Sequence, residues 1–255
     1  MQISTIAIVA GLAMGAPALA GFAPIDFSVE DDFLTPLVNG QEVNAAGANA
    51  EFGNLFTITS SERLSIFDTS NPGPNDSGGD ADLLVNQGNA LIIQNRGMVT
   101  QSTTDIFDTP NDSRFGGSIF FNFNDPATLG SIDLLDVDDA NGVTVTLTDD
   151  QGRTRVYSVP NSFTNEVNTD GPAGFDTLSL TDVMPQVGEG GGIATLASED
   201  AGYDGARVVT LEVDFAGSGG LDNLVIDAVI PTPGAAALLG LSGLTLVRRR
   251  RACSG

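Results

Sequence analysis

Apolar and polar positions alternate with a period of two through much of this chain. The clearest run lies between Gly117 and Val159. Ile119, Phe121 and Phe123 alternate with Ser118, Phe120 and Asn122, which predicts a strand over Ser118–Asn124. Ser131–Val137 reads as a second strand. Asn141-Gly142 suits a turn with positive φ, after which Val143, Val145 and Leu147 alternate with Thr144, Thr146 and Thr148. An Asp-Asp-Gln-Gly turn leads into a fourth strand, Thr154–Val159, and the four are expected to form a meander. Further strands are predicted at Leu64–Phe67, Leu83–Val85, Ala90–Gln94, Gly174–Leu180, Arg207–Phe215 and Leu221–Val229. No segment of the body, residues 21–229, carries a convincing helical period. Asp32–Asn49 comes nearest, and its glycines and asparagines argue for a loop, as does the Gly-rich stretch Met184–Gly202. Many short strands separated by Gly, Asp, Asn and Pro turns predict an all-β domain over residues 21–229, a jelly-roll-like antiparallel β-sandwich.

The two ends depart from this pattern. Residues 1–20 read as a signal peptide forming an N-terminal helix. Ile3–Met14 is apolar, and Ala18 and Ala20 place small residues at the −3 and −1 positions of a cut after Ala20. Its amino-terminal region has no Lys or Arg. At the other end, Pro231 and Pro233 close the last strand, and Gly234–Val247 is a 14-residue apolar run expected to form a short hydrophobic helix. An ordinary transmembrane helix needs about 20 residues. Arg248, Arg249, Arg250 and Arg251 follow at once and fix this stub with its basic end on the cytoplasmic side.

Residues 230–255, "IPTPGAAALLGLSGLTLVRRRRACSG", resemble the PEP-CTERM sorting signal of Gram-negative, exopolysaccharide-producing bacteria. That signal joins a Pro-x-Pro element, a short apolar helix and an arginine cluster. Here Pro231-Thr232-Pro233 stands for Pro-Glu-Pro, followed by Gly234. The resemblance implies recognition by an exosortase-type membrane protease and delivery to the cell envelope or the extracellular space. It implies membrane contact only through the tail, before processing. The body resembles a recurrent module of PEP-CTERM-type surface proteins through "FDTSNPGPNDSGGDADLL", "GNALIIQN", "GGSIFFNF", "LGSIDLLDVDD" and "GSGGLDNLVI". That second resemblance implies a jelly-roll-like sandwich and carries over no catalytic motif.

Charge narrows the partners. The chain has 33 acidic residues against 10 basic ones, and a net charge of −23. All ten basic residues are arginines, and four of them lie in the tail. Such a surface repels nucleic acid and anionic lipid and attracts divalent cations. It also favours solubility. With no His there is no Ser-His-Asp triad and no imidazole base; with no Lys there is no P-loop or Schiff base. The one cysteine, Cys253, lies beyond the arginines, so the body has neither disulfide nor thiol chemistry.

Calcium is the candidate cofactor, in a structural role. Asp76, Asp80 and Asp82 lie on a Gly-containing turn, and Asp136 and Asp138 on "DVDDANG"; oxygen-rich loops of this kind suit Ca2+. The same residues also make good turns. Neither stretch is an EF-hand: the DVDDANG stretch has Ala140 at the fifth position and Leu147 at the twelfth, where a bidentate Glu belongs. "GSGGLDNLV" resembles a calcium-binding nonapeptide, but one copy cannot stack into a β-roll. Asp133 sits mid-strand and is expected to face solvent. Glu212 and Asp214 share one strand face, so a carboxylate-based glycan hydrolase is a formal alternative, although a solvated face explains them more simply. Extracellular polysaccharide is the candidate ligand, yet there is no Trp and only two Tyr to build an aromatic platform. "IFDTSNPGPNDS" (Ile66–Ser77) and "IFDTPNDS" (Ile106–Ser113) echo each other and are expected to form two similar turns at one edge of a sandwich. The expected protein is a non-enzymatic, exported structural or adhesive component of the exopolysaccharide layer. A Ca2+-dependent carbohydrate-binding module is the alternative.

Overall fold

The computed structural model describes residues 24–30, 34–43, 52, 55–76, 80–137, 139, 141–164 and 174–229. The signal segment with Ala18 and Ala20, Asp138, and the tail with Pro231, Pro233, Gly234 and Arg248–Arg251 lie outside the described residues. Among the described residues no helix is long and apolar enough to cross a membrane.

The body is an all-β, sandwich-like structure in which every strand pairing is antiparallel. Its strands are β1 (Glu42–Val43), β2 (Phe56–Ser60), β3 (Leu64–Asp68), β4 (Asn89–Ile93), β5 (Gly117–Leu135) and β6 (Val143–Asp149), then β7 (Thr154–Val159), β8 (Phe175–Ser179), β9 (Gln186–Val187), β10 (Ile193–Glu199), β11 (Val208–Phe215) and β12 (Gly220–Val229). The sheet order is β1-β3-β4-β12-β5-β11-β6-β7-β10-β9, with β2 and β8 also bonded to β5.

β5 organises the fold. Its first half pairs with β2 and β11, and its second half with β12 and β8. The two strands expected at Ser118–Asn124 and Ser131–Val137 are therefore one strand of 19 residues. Pro126 falls where β5 changes partners, so its missing N–H leaves no gap in a ladder. Register shifts between Val208 and Thr210 and along β12 from Asp222 to Ala228 let the sheet bend at this crossing. The expected meander also gives way: β11 inserts between β5 and β6, and only β6 and β7 form the hairpin. Gly142 begins that arm at φ +68°, where a Cβ would lie 2.0 Å from the Val159 carbonyl oxygen.

The main core lies between the layers. Phe52 stacks on Phe56 at 5.4 Å between ring centroids, and Phe27 and Phe121 meet this pair edge-on. A second, smaller core covers the opposite face of the β3–β4–β12–β5 layer and holds Phe67, Leu83, Leu84, Ala90, Ile92 and Leu135. Leu83 and Leu84 are consecutive and both are buried in it. A strand would have sent them to opposite faces, which is why the strand expected at Leu83–Val85 is instead a 3₁₀ turn over Ala81–Leu83. The stretch expected as a Gly-rich loop contains β9 and β10. Only Ala194 of β10 is buried, so its alternation left almost no apolar signal.

The two Ile-Phe-Asp copies clasp one segment. Ile66 exchanges backbone hydrogen bonds with Gly40 and Gln41 on one side. On the other, the Phe107 N–H donates to the Gly40 carbonyl and the Glu42 N–H to the Asp105 carbonyl. Gly40 has φ +80°, and a Cβ there would lie 2.4 Å from the Phe107 carbonyl oxygen, so only glycine fits between them.

Candidate functional site

The aspartates singled out for calcium occupy different settings. Asp76 is exposed, and its Oδ1 accepts the Gly73 N–H at 2.8 Å, closing its own turn. Asp80 is buried and ties loops together: its Oδ2 accepts the Asp112 N–H at 2.8 Å, and Asp112 in turn accepts the Gly219 N–H. Asp82 is half-buried in the 3₁₀ turn. Asp136 is buried at φ +50°, and its N–H donates to the Gly174 carbonyl. Among the described residues no group of three or more acidic, His or Cys side chains is arranged to hold a metal.

A different acidic pair is built into the sheet. Asp222 on β12 lies directly opposite Asp133 on β5, and Asp133 lies opposite Thr177 on β8. All three share the face that carries the smaller core. Asp133, expected to face solvent, is buried, at 7% exposure. Its Oδ1 accepts the Thr177 hydroxyl at 2.5 Å and its Oδ2 accepts the Asn223 amide at 2.8 Å. Asp222 is fully buried. Its Oδ1 accepts the Asn223 N–H at 2.7 Å, and its Oδ2 has no hydrogen-bond partner among the described residues. Burial pushes its carboxyl up to about 8; the Asn223 N–H opposes this, and the charges of Asp133 and Asp26 add to it to a lesser degree. The sequence carried a signal for this pair: each aspartate interrupts an apolar strand, in "SIDLL" and "GGLDNLVI".

A polar cleft of about 440 Å³ opens elsewhere on the β3–β4 layer, lined by Glu42, Ser60, Ser61, Glu62, Arg63, Gln94, Arg96 and Val99. Arg63 grips Glu42 through both ends of its guanidinium, with Nε to Oε1 at 2.6 Å, and stacks 4.4 Å from the Phe107 ring centroid. The Arg63 hydrogen bonds hold the Glu42 carboxyl below its ordinary range, against the effect of burial and with help from Gln101. Arg96 pairs with Glu62 in the same two-pronged way. Gln94 is committed to the fold, donating to the Met98 and Thr109 carbonyls. The cleft is charge-balanced on a protein of net charge −23, and its volume falls within the ~300–1,000 Å³ of small-ligand sites. The sequence did not foreshadow it, because its lining comes from three separated segments.

The β6–β7 hairpin end holds a third cluster. Asp149 is buried and accepts the N–H groups of Gln151, Arg153 and Asp204 together with the Arg153 guanidinium. Burial works against its ionisation, yet the Arg153 N–H and guanidinium, with the Asp204 and Gln151 N–H groups, outweigh it and hold the carboxyl down at about 2. Arg207 pairs with Asp150, and Arg155 with Glu199. Glu212 is half-buried and Asp214 exposed, where it accepts the Ser118 hydroxyl at 2.7 Å.

No family model and no curated protein matches the chain. Among solved structures, an agarase, AgWH50C, aligns with 46% of this chain and 19% of its own length at 12% identity, with a TM-score of 0.32. The chain thus spans about a fifth of that enzyme's length, and a likeness at that score carries no argument about this protein.

Proposed function

We propose that this chain is an exported cell-surface or extracellular-matrix protein with a structural or adhesive role in the exopolysaccharide layer. The observation that carries this reading is the pairing of its two ends. A cleavable apolar leader with Ala18 and Ala20 precedes the body, and a Pro-x-Pro, apolar, four-arginine tail follows it. The leader and tail would each form a short helix before processing, and the tail would be read by an exosortase-type membrane protease. The body between them is jelly-roll-like in this reading, two antiparallel layers sharing β5. An acidic surface of this kind stays soluble among polysaccharides and takes up divalent cations.

Cell fractionation of a producing bacterium tests the reading. The expected product begins at Gly21, lacks Arg248–Arg251 and is recovered from the surface or matrix. Replacing the four arginines with serine should leave unprocessed chain in the membrane fraction. Recovery of the intact chain from the cytosol, with both ends uncut, would overturn it.

A second reading, a Ca2+-dependent carbohydrate-binding module, draws on the Glu42–Arg63 and Glu62–Arg96 cleft for its sugar contacts. The guanidinium N–H groups not spent on these ion pairs can donate to sugar hydroxyls, and the carboxylate oxygens can accept from them. Glycan arrays with wild type and Arg96→Ala test it: a signal lost in the variant supports the module, and an empty array removes it.

A further inference from the structure

We propose that Asp222 and Asp133 form a cation site between β12 and β5, with Asp26 beside it, that takes one oxygen-seeking divalent cation, Ca2+ by donor chemistry. Three observations on the structure carry this. Asp222 and Asp133 are register partners on adjacent strands, so their carboxylates are neighbours on one sheet face. Both are buried, and among the described residues no ion pair includes either of them. Asp222 Oδ2 is shielded from solvent and accepts no hydrogen bond from any described residue.

Like charges facing each other across a sheet are destabilising, and a buried carboxylate oxygen with no donor loses its hydration without replacement. The fold nevertheless places this pair at the centre of its second layer. A divalent cation would neutralise both charges at once. It would also give Asp222 Oδ2 the partner it lacks.

The donor set selects the ion. Asp222, Asp133, the Asn223 side chain and the Thr177 hydroxyl offer oxygens only, with no imidazole or thiolate, which suits Ca2+ or Mg2+ rather than zinc or copper. Two carboxylates plus neutral oxygens and water on an irregular frame match the looser requirements of Ca2+ better than the strict octahedron of Mg2+. The frame is irregular here: pairing is interrupted between Asp222 and Val225, and Asn223 sits at φ +46°. Residues 24–30 run along this break through the Ile25–Leu224 bridge, which brings half-buried Asp26 close enough to act on Asp222. This site is separate from the Asp76–Asp82 and Asp136–Asp138 stretches suggested by the sequence.

Calorimetric titration of the chelator-treated protein with calcium chloride tests the site. Wild type should bind one Ca2+ with a Kd on the order of 10⁻⁴–10⁻³ M, the weak range of extracellular modules. Its Tm should rise with millimolar calcium. Asp222→Asn and Asp133→Asn keep the side-chain shape, so each should fold, and each should weaken binding at least tenfold. Above pH 8, where Asp222 is ionised, the chelator-treated Asp222→Asn variant should melt no lower than chelator-treated wild type, because it removes a like charge. If wild type shows no binding heat and no Tm shift, or if both variants bind as wild type does, the site is refuted. The second result would place calcium in the loops instead.

Discussion

Asp149 and Asp222 are both buried aspartates at sheet positions, yet the fold treats their charges in opposite ways. Asp149 closes the β6–β7 hairpin, accepts three backbone N–H groups and a guanidinium, and is held down at about 2. Asp222 accepts one backbone N–H, faces a second carboxylate, and is pushed up to about 8. Both lie at 1% exposure or less, so depth does not separate them. The number and charge of the donors aimed at the carboxylate do. A turn whose free N–H groups converge on one point is a ready anion seat. A strand interior spends its N–H groups on the ladder and has few left for a side chain.

That contrast can be broken most forcefully at Asp149. Asp149→Ala strips four donors of their acceptor and should lower Tm by about 5–10 °C, measured calorimetrically at neutral pH. A loss no larger than that of an exposed turn residue would mean that the convergent donors do little. Next in size, Asp222→Asn should act with the opposite sign, raising Tm in chelator by about 2–5 °C at pH 9 and by less at pH 5.

The pH profile sharpens the comparison further. The Asp222 carboxyl titrates near 8 in the folded chain and near the ordinary 3.8 when unfolded. The folded state therefore holds the extra proton between these values, and metal-free stability should fall as pH rises from about 4 to about 8. Asp149 has the reverse order, about 2 folded against 3.8 unfolded. Its contribution should be complete above about pH 4 and disappear as pH drops towards 2. Urea unfolding across pH 2–9 reads both limbs; the alkaline limb should flatten in Asp222→Asn and the acid limb in Asp149→Asn. The smallest effect is expected at Glu62→Gln. The Arg96–Glu62 pair has water on its arginine side, so Tm should stay within about 2 °C of wild type. A larger drop would mean that the cleft is stiffer than its exposure implies.

The strands were largely legible where one face meets the core and the other meets water. β6 shows this best: Val143, Val145 and Leu147 are buried while the threonines between them reach the surface. Legibility failed in two physical situations. Where both faces are buried, as in the layer carrying β3, β4 and the end of β5, period two fades into continuous apolar runs, and Leu83–Leu84 could be mistaken for a strand. Where both faces are polar, as in β10, there is nothing apolar to alternate. The acidic site followed the same division. The sequence drew attention to the aspartates of the Gly-containing loops, of which Asp76 is exposed while Asp80 and Asp136 are buried. The aspartates under the greatest electrostatic stress were those set inside apolar strands, where Asp133 was expected to face solvent.

By itself, then, the chain specified its strand-rich character, its turn chemistry at Asn141-Gly142 and Asp149–Gly152, and the absence of imidazole, lysine and body thiol, since all of these depend on residue type and near neighbours. Only the tertiary structure decided that β5 serves both layers through Pro126, that β11 enters between β5 and β6, that Gly40 is clasped by the two Ile-Phe-Asp copies, and that Asp133 and Asp222 meet. Those outcomes turn on which segments distant in sequence come to lie side by side, and on whether a second layer covers a strand's outer face; a local pattern cannot record either one.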